Sequence, residues 1–216
     1  ITHELKTPVS VAYAANDALL QFADDLDRET RENYLKMSLE QLRKLGGMIE
    51  QILSMSMNRR KTFTLHKEML DLKKTISEIV EQQRMKTKKT VDISVKIVPD
   101  DLQVNADLQH FMQIINNICD NAVKYSNEHV RIDISCTKDT EGNVVISISD
   151  NGIGISKPHQ LHIFDKFYRV PNGNLHDVKG YGLGLYYVAT MMRLHGGEVS
   201  VESEKGKGTT FNLLFR

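Results

Sequence analysis

Apolar or small residues recur at Leu35, Leu39, Leu42, Gly46, Ile49 and Leu53 in alternating steps of four and three, the spacing that keeps one stripe of a helix against a partner. Beyond residue 61 the dominant period falls to two, which a packing helix cannot adopt. This change of period divides the chain into two unlike parts. An earlier stripe of Leu5, Val9, Ala12, Ala15, Leu19 and Phe22 precedes the seam, with a polar stretch at 23–30 between them, so residues 1–61 read as a helical hairpin. Two such helices cannot bury both faces alone. Pairing with a second copy into a four-helix bundle is therefore expected.

The basic run Asn58-Arg59-Arg60-Lys61 ends the hairpin, and residues 62–216 form the second domain. There Val91, Ile93, Val95 and Ile97 alternate with polar residues, as do Val130, Ile132, Ile134 and Cys136, then Val144, Ile146 and Ile148. Val199 with Val201, and Phe211, Leu213 and Phe215, continue the series. Helices are expected over about 71–86, 107–125 and 181–195. The sum is an α+β chain: a helical hairpin, then a sandwich whose sheet is covered on one face by helices.

Forty per cent apolar and 26% charged residues fit a globular protein rather than a disordered one. Lysine plus arginine equals aspartate plus glutamate at 28 each, which argues against nucleic acid as a partner. Cys119 and Cys136 lack metal-ligand spacing and read as reduced core thiols. No apolar run approaches the roughly 18 residues that cross a bilayer. The sequence opens within a helical pattern at Ile1-Thr2, so a longer protein with any membrane anchor upstream is expected.

Asp150 continues the inward phase of Val144, Ile146 and Ile148, which aims a carboxylate at the core. Such burial needs a donor, and an adenine amino group is one. The alternative is an aspartate capping the turn Asn151-Gly152-Ile153-Gly154. On the helix near 107–125, Asn117, Asn121 and Lys124 share a stripe beside the buried Phe111, Ile114, Ile115, Ile118 and Ala122. Amide oxygens suit Mg²⁺ and an ammonium suits phosphate, whereas a solvated polar flank is the plainer reading. Between Gly154 and Gly180 lies a long segment with little strand or helix pattern and an aromatic cluster at Phe164, Phe167 and Tyr168. It ends in Gly180-Tyr181-Gly182-Leu183-Gly184-Leu185 before an apolar helix, where backbone amides can approach phosphates. That spacing misses the dinucleotide fingerprint, and no P-loop run exists. Near the start stands His3-Glu4, which is either a phosphorylatable pair or an ordinary helix face.

In this order the motifs resemble the catalytic core of a sensor histidine kinase of two-component signalling. Residues 1–8 resemble its H box, 117–126 its N box, 150–155 its first glycine box, 164–169 its F box and 180–185 its second glycine box. The resemblance implies a homodimer whose hairpin carries the phosphoacceptor, joined to an ATP-binding domain of the gyrase and Hsp90 kind with a lid at about 152–180. It implies that His3 attacks ATP, that Glu4 takes a proton or orients the ring, and that Arg169 meets the γ-phosphate. By the same resemblance Asn121 would hold Mg²⁺ with Asn117 nearby, Lys124 would meet phosphate, Tyr125 the nucleotide rim and Asp150 the adenine. Gly152, Gly154, Phe164, Gly180, Gly182, Leu183 and Gly184 would complete the nucleotide site. The phosphoryl group would pass to an aspartate of a response-regulator receiver domain, with Thr7 placed to assist its later removal. The chain would be the cytoplasmic portion of a membrane-anchored sensor. Tyr186-Tyr187 departs from the family's usual aliphatic pair. Two other readings remain open: a dimeric scaffold that holds nucleotide without transferring phosphate, and an ATP-operated clamp of the gyrase or mismatch-repair type.

Overall fold

The computed structural model describes residues 2–22, 25–57, 64–87, 89–170 and 182–216, with side chains left out at 2–5, 43–44 and 46–57. The linker residues 58–61, together with Gly180 and Tyr181, lie outside the described residues, as do the side chains of His3, Glu4, Leu5, Gly46, Ile49 and Leu53. The chain forms two compact units, Ile1–Phe63 and Thr64–Arg216.

In the first unit α1 (Thr2–Gln21) and α2 (Arg28–Met57) form a hairpin. Asp27 caps the second helix by accepting the Thr30 N–H at 2.6 Å, and this bond holds its carboxyl below the usual aspartate value. Pro8, Ala12, Ala15 and Ser38 are the buried residues among those whose side chains are described in the hairpin, compact groups that allow close approach. The Asn16 amide donates to Ser38 Oγ at 2.8 Å across this packing. Leu35, Leu39 and Leu42 stay 48–57% exposed, as do Val9 and Phe22 at about half. Of the stripes read from the sequence, Ala12 and Ala15 are therefore buried within one hairpin, whereas Val9, Phe22, Leu35, Leu39 and Leu42 face outward.

The second unit contains β1 (Lys67–Asp71), α3 (Leu72–Lys86), β2 (Thr90–Ile97), β3 (Gln103–Asp107), α4 (Leu108–Lys124), β4 (His129–Lys138), β5 (Val144–Asp150), α5 (Lys157–Gln160), α6 (Gly184–His195), β6 (Glu198–Glu204) and β7 (Gly208–Phe215). Five strands make one sheet in the order β2-β4-β5-β7-β6, and β1 pairs with β3 separately. Only β2 and β4 run parallel in the larger sheet; its other pairs are antiparallel. Ile132, Ile134, Ile146, Ile148 and Leu213 point to the helical side and are at most 1% exposed. Leu72, Ile76 and Ile79 of α3 and Phe111, Ile114, Ile115 and Ile118 of α4 meet them with equally complete burial. Burying such a side chain contributes about 1.5–3 kcal/mol, so these positions dominate the stability of the unit.

Asp71 and Asp107 cap α3 and α4 by accepting the N–H groups of Lys74 and His110. The Asp107 N–H donates to Nε2 of buried His195, whose Nδ1 bonds to Met191 O at 2.8 Å, so the ring is the neutral Nδ1–H tautomer. His110 Nδ1 lies 2.7 Å from Tyr187 Oη. Tyr187 is thus a buried aromatic with a polar partner, which accounts for its place in the apolar helix. Cys119 and Cys136 are buried free thiols, and burial pushes both up to about 12.

Candidate functional site

At the end of β5 the strand alternation delivers Asp150 to the same face as Ile146 and Ile148, half-buried at the rim of the core. Its Oδ1 accepts the Gly152 N–H at 2.7 Å and the Thr209 N–H at 3.3 Å. Both bonds reach one oxygen, and among the described residues no hydrogen bond reaches Oδ2. Burial raises this carboxyl above the ordinary aspartate value, against the opposing pull of the two donors. Oδ1 thus makes the turn-capping contact, on a residue that is also half-buried. Thr209 went unnoticed in the sequence because the alternation of β7 is plain only from Phe211 onward.

The turn after Asp150 is built for close approach. A Cβ on Gly152 would lie 2.7 Å from Asp150 Oδ1, 3.0 Å from Tyr125 O and 3.2 Å from Ser126 Oγ. Gly154 has φ +66°, and a Cβ there would sit 2.0 Å from Glu204 O. The Ile153 N–H donates to Tyr125 O at 3.0 Å, which joins this turn to the end of α4.

Along α4 the expected stripe is present beside the buried one, with Asn117, Asn121, Lys124 and Tyr125 all half-buried. The Asn117 amide nitrogen is fully buried and, among the described residues, has no hydrogen-bond partner. Such a group costs about 1–3 kcal/mol unless something accepts from it. Gly184, the first residue of α6, stands against this side chain: a Cβ there would lie 3.4 Å from Asn117 Oδ1. Lys124 Nζ lies 5.0 Å from the centre of the Tyr125 ring. Burial, then the nearby Arg169 charge, lowers the Lys124 ammonium, and burial raises the Tyr125 hydroxyl while Arg169 opposes it. The exposed Arg169 thus adds its charge to that of the half-buried Lys124, a combination that suits an anion.

Residues 154–170 have more order than their sequence pattern implies. The short helix α5 begins after Ser156, and the Gln160 amide donates to Ile155 O at 2.6 Å and Ser203 O at 2.8 Å. Ile163 is buried, and His159 Nδ1 lies 2.6 Å from Tyr168 Oη. Phe164 packs edge-on against Phe211 of β7 with centroids 6.3 Å apart, so it anchors this segment to the sheet. The α6 helix begins at Gly184 rather than near 181, because Gly182 has φ +65° and buried Leu183 is the N-cap.

In the second unit Asn117 lies beside Gly184, Gly152 beside Asp150 and Tyr125, and Lys124 beside Tyr125, while the Arg169 charge acts on both Lys124 and Tyr125. Thr7 is exposed on α1 in the first unit, one turn after His3 in sequence. No helix among the described residues is long and apolar enough to cross a membrane.

The family described as histidine kinase-, DNA gyrase B- and HSP90-like ATPase matches residues 106–216, and the His Kinase A phospho-acceptor domain matches residues 1–61. The sensor protein RprX of Bacteroides fragilis (strain YCH46) is 36% identical over 98% of this chain and 41% of its own length. The sensor histidine kinase WalK of Bacillus subtilis (strain 168) is 30% identical over 99% of this chain and 35% of its own. The chain thus spans less than half the length of these curated relatives. The solved structure of full-length ShkA in complex with AMPPNP has a TM-score of 0.74 at 22% identity, covering 99% of this chain and 44% of that one, which is a likeness of fold.

Proposed function

Because this chain belongs to the histidine kinase-, DNA gyrase B- and HSP90-like ATPases and carries the catalytic core of a two-component sensor histidine kinase, we propose that it phosphorylates itself on His3 with ATP. The phosphoryl group then passes to an aspartate of a response-regulator receiver domain. The observation that carries this reading is the half-buried Asp150 carboxylate, held by two donors on one oxygen, beside a helix bearing Asn117, Lys124 and Tyr125. A carboxylate oxygen left to accept suits the amino group of adenine.

Phosphates fit the other end of the cluster. The Asn117 N–H, which meets no acceptor among the described residues, can donate to a phosphate, and Lys124 with Arg169 supplies positive charge. The amide oxygen of Asn121, with Asn117 beside it, suits Mg²⁺, which would neutralise phosphate charge when bound. Tyr125 would border the nucleotide. Gly152, Gly154, Gly180, Gly182 and Gly184 would let backbone approach it, while Leu183 and Phe164 hold those segments to the core.

In the reaction a neutral ring nitrogen of His3 attacks the γ-phosphorus in line. An N–P bond forms, the bond from phosphorus to the β–γ bridging oxygen breaks, and ADP leaves. Glu4 accepts the proton of the other ring nitrogen or holds the ring by it. Arg169 stabilises charge on the transferring oxygens. Thr7, exposed near the acceptor histidine in sequence, would orient water for removing phosphate from the regulator. The outward leucines of α2 support a homodimer through this hairpin, since exposed leucines at seam spacing call for a second copy.

Incubation with ATP labelled at the γ-phosphate tests the proposal. Acid-labile, base-stable label should appear on the chain and vanish in His3→Ala. Catalytic consumption of ATP without labelling would instead favour a nucleotide-operated clamp.

A further inference from the structure

We infer that Lys89, which lies outside every motif named above, is a positioning residue that holds the end of α4 in the geometry Lys124 and Tyr125 need. The inference rests on the reading of their neighbourhood as an ATP site.

Lys89 precedes β2, and its Nζ donates to Val123 O and to Ser126 O, each at 2.7 Å. Those two carbonyls bracket Lys124 and Tyr125. The last carbonyls of a helix have no partner within it, and a cation there also meets the negative end of the helix dipole. The residue between the clamped carbonyls is held from other directions: the Tyr125 N–H donates to Asn121 O at 2.9 Å, and Tyr125 O accepts from Ile153. The glycine turn therefore fastens Tyr125, and Lys89 fastens a residue on each side of it.

Ser126 is 8% exposed, so its carbonyl would be an unsatisfied buried acceptor without Lys89. Its Oγ is already buried without a partner among the described residues, 3.2 Å from the place a Gly152 Cβ would occupy. Losing the ammonium would leave two adjacent polar defects beside Gly152, and the inexpensive relief is for residues 123–126 to turn toward water. That movement would displace the Lys124 ammonium and the Tyr125 ring before it disturbed the apolar face of α4. Lys89 thus acts on nucleotide affinity through its neighbours, touching no phosphate itself.

The test uses the full chain, with ATP bearing a fluorophore on its ribose as the binding probe and autophosphorylation as the rate. In Lys89→Met both Kd and the KM for ATP should rise about tenfold, while kcat at saturating ATP stays within about twofold. Lys89→Arg should regain most of the affinity, because it keeps the charge and the donors. A merely structural role would lower Tm and the active fraction but leave Kd and KM unchanged; that result, or an arginine that rescues nothing, overturns the inference. Should the methionine variant fail to fold, Lys89→Gln, whose single amide reaches one carbonyl at a time, should raise Kd about threefold. An unchanged Kd there also overturns it. Absence of probe binding by the unaltered chain would remove the ATP reading and this inference together, whereas intact binding with an indifferent Lys89 would remove the inference alone.

Discussion

Phe167 and Gly182 are locked together: the Phe167 N–H donates to Gly182 O at 3.0 Å, and a Cβ on Gly182 would lie 2.7 Å from the Phe167 carbonyl carbon. Both residues hold positive φ, +67° and +65°, which is uncommon for phenylalanine. The contact joins the aromatic segment that leads to Arg169 with the glycine turn that opens α6. Gly182→Ala should therefore act on nucleotide handling more than on the core. We expect Tm to fall by about 2–4 °C, as about 1 kcal/mol does in a domain of this size, and ATP affinity to fall about tenfold or more. Thermal melts and probe titration measure the two separately, and a loss confined to Tm would contradict the prediction.

Asp150→Asn separates binding from stability. Asparagine keeps an oxygen for the Gly152 and Thr209 donors but sets an amide nitrogen where the second carboxylate oxygen was, opposing donor to donor against adenine. ATP affinity should drop about a hundredfold. Stability should hold or rise at neutral pH: the folded chain raises this carboxyl, so ionisation favours the unfolded state, and removing the charge removes that penalty. A variant that melts earlier yet still binds ATP would be the contrary result.

Lys124 sets an alkaline limit on nucleotide binding. Its ammonium titrates below the ordinary 10.5 because of burial first and Arg169 second. As pH climbs toward that lowered value the charge is lost, so the Kd for ATP should increase between neutral pH and pH of about 10. Lys124→Met should bind about tenfold more weakly at neutral pH and show a flatter dependence. Titrations across this range in both proteins decide the matter.

His195 predicts the acid side. Burial lowers its ring below the ordinary 6.5; Lys67 and His110 add to that effect, while the Met191 carbonyl and Asp107 oppose it. Below pH of about 6.5 the unfolded chain takes up this proton before the folded chain does. Stability should accordingly decline as pH falls from 6.5 through the lowered folded value, and little of this dependence should remain above 6.5. Protonation would also cost the Asp107 N–H its acceptor on Nε2. His195→Gln should flatten the acid slope in melts between pH 7.5 and about 5.

Much of the second unit is legible in the sequence because its strands alternate strictly: Val130 to Cys136 and Val144 to Ile148 are buried at every second position. Strands β1 and β3 are not legible, being five residues each, with one buried position in β1. Order in 155–168 escapes notice because it depends on single contacts such as Gln160 to Ser203 rather than on periodicity. The polar stripe of α4 is readable from helical spacing. Arg169, whose charge reaches that stripe, and Thr209, which donates to Asp150, are not, since they arrive from distant segments; Arg169 entered only through the family resemblance. The hairpin shows the reverse difficulty. Its leucine period is plain, yet the residues buried inside one copy are Pro8, Ala12, Ala15 and Ser38, of which the apolar stripes contain the two alanines.

Strand β7 lies between β5 and β6, although it follows both in the chain. A ribosome must therefore finish Gly208–Phe215 before the second edge of β5 is covered, before β6 joins the sheet, and before Thr209 can reach Asp150. Until then a nascent chain holds β5 with an open edge and an Asp150 carboxylate lacking its Thr209 donor. Competence to bind nucleotide arrives with the last strand of the sheet to be translated, so a message truncated ahead of it would yield phosphoacceptor helices without a working donor.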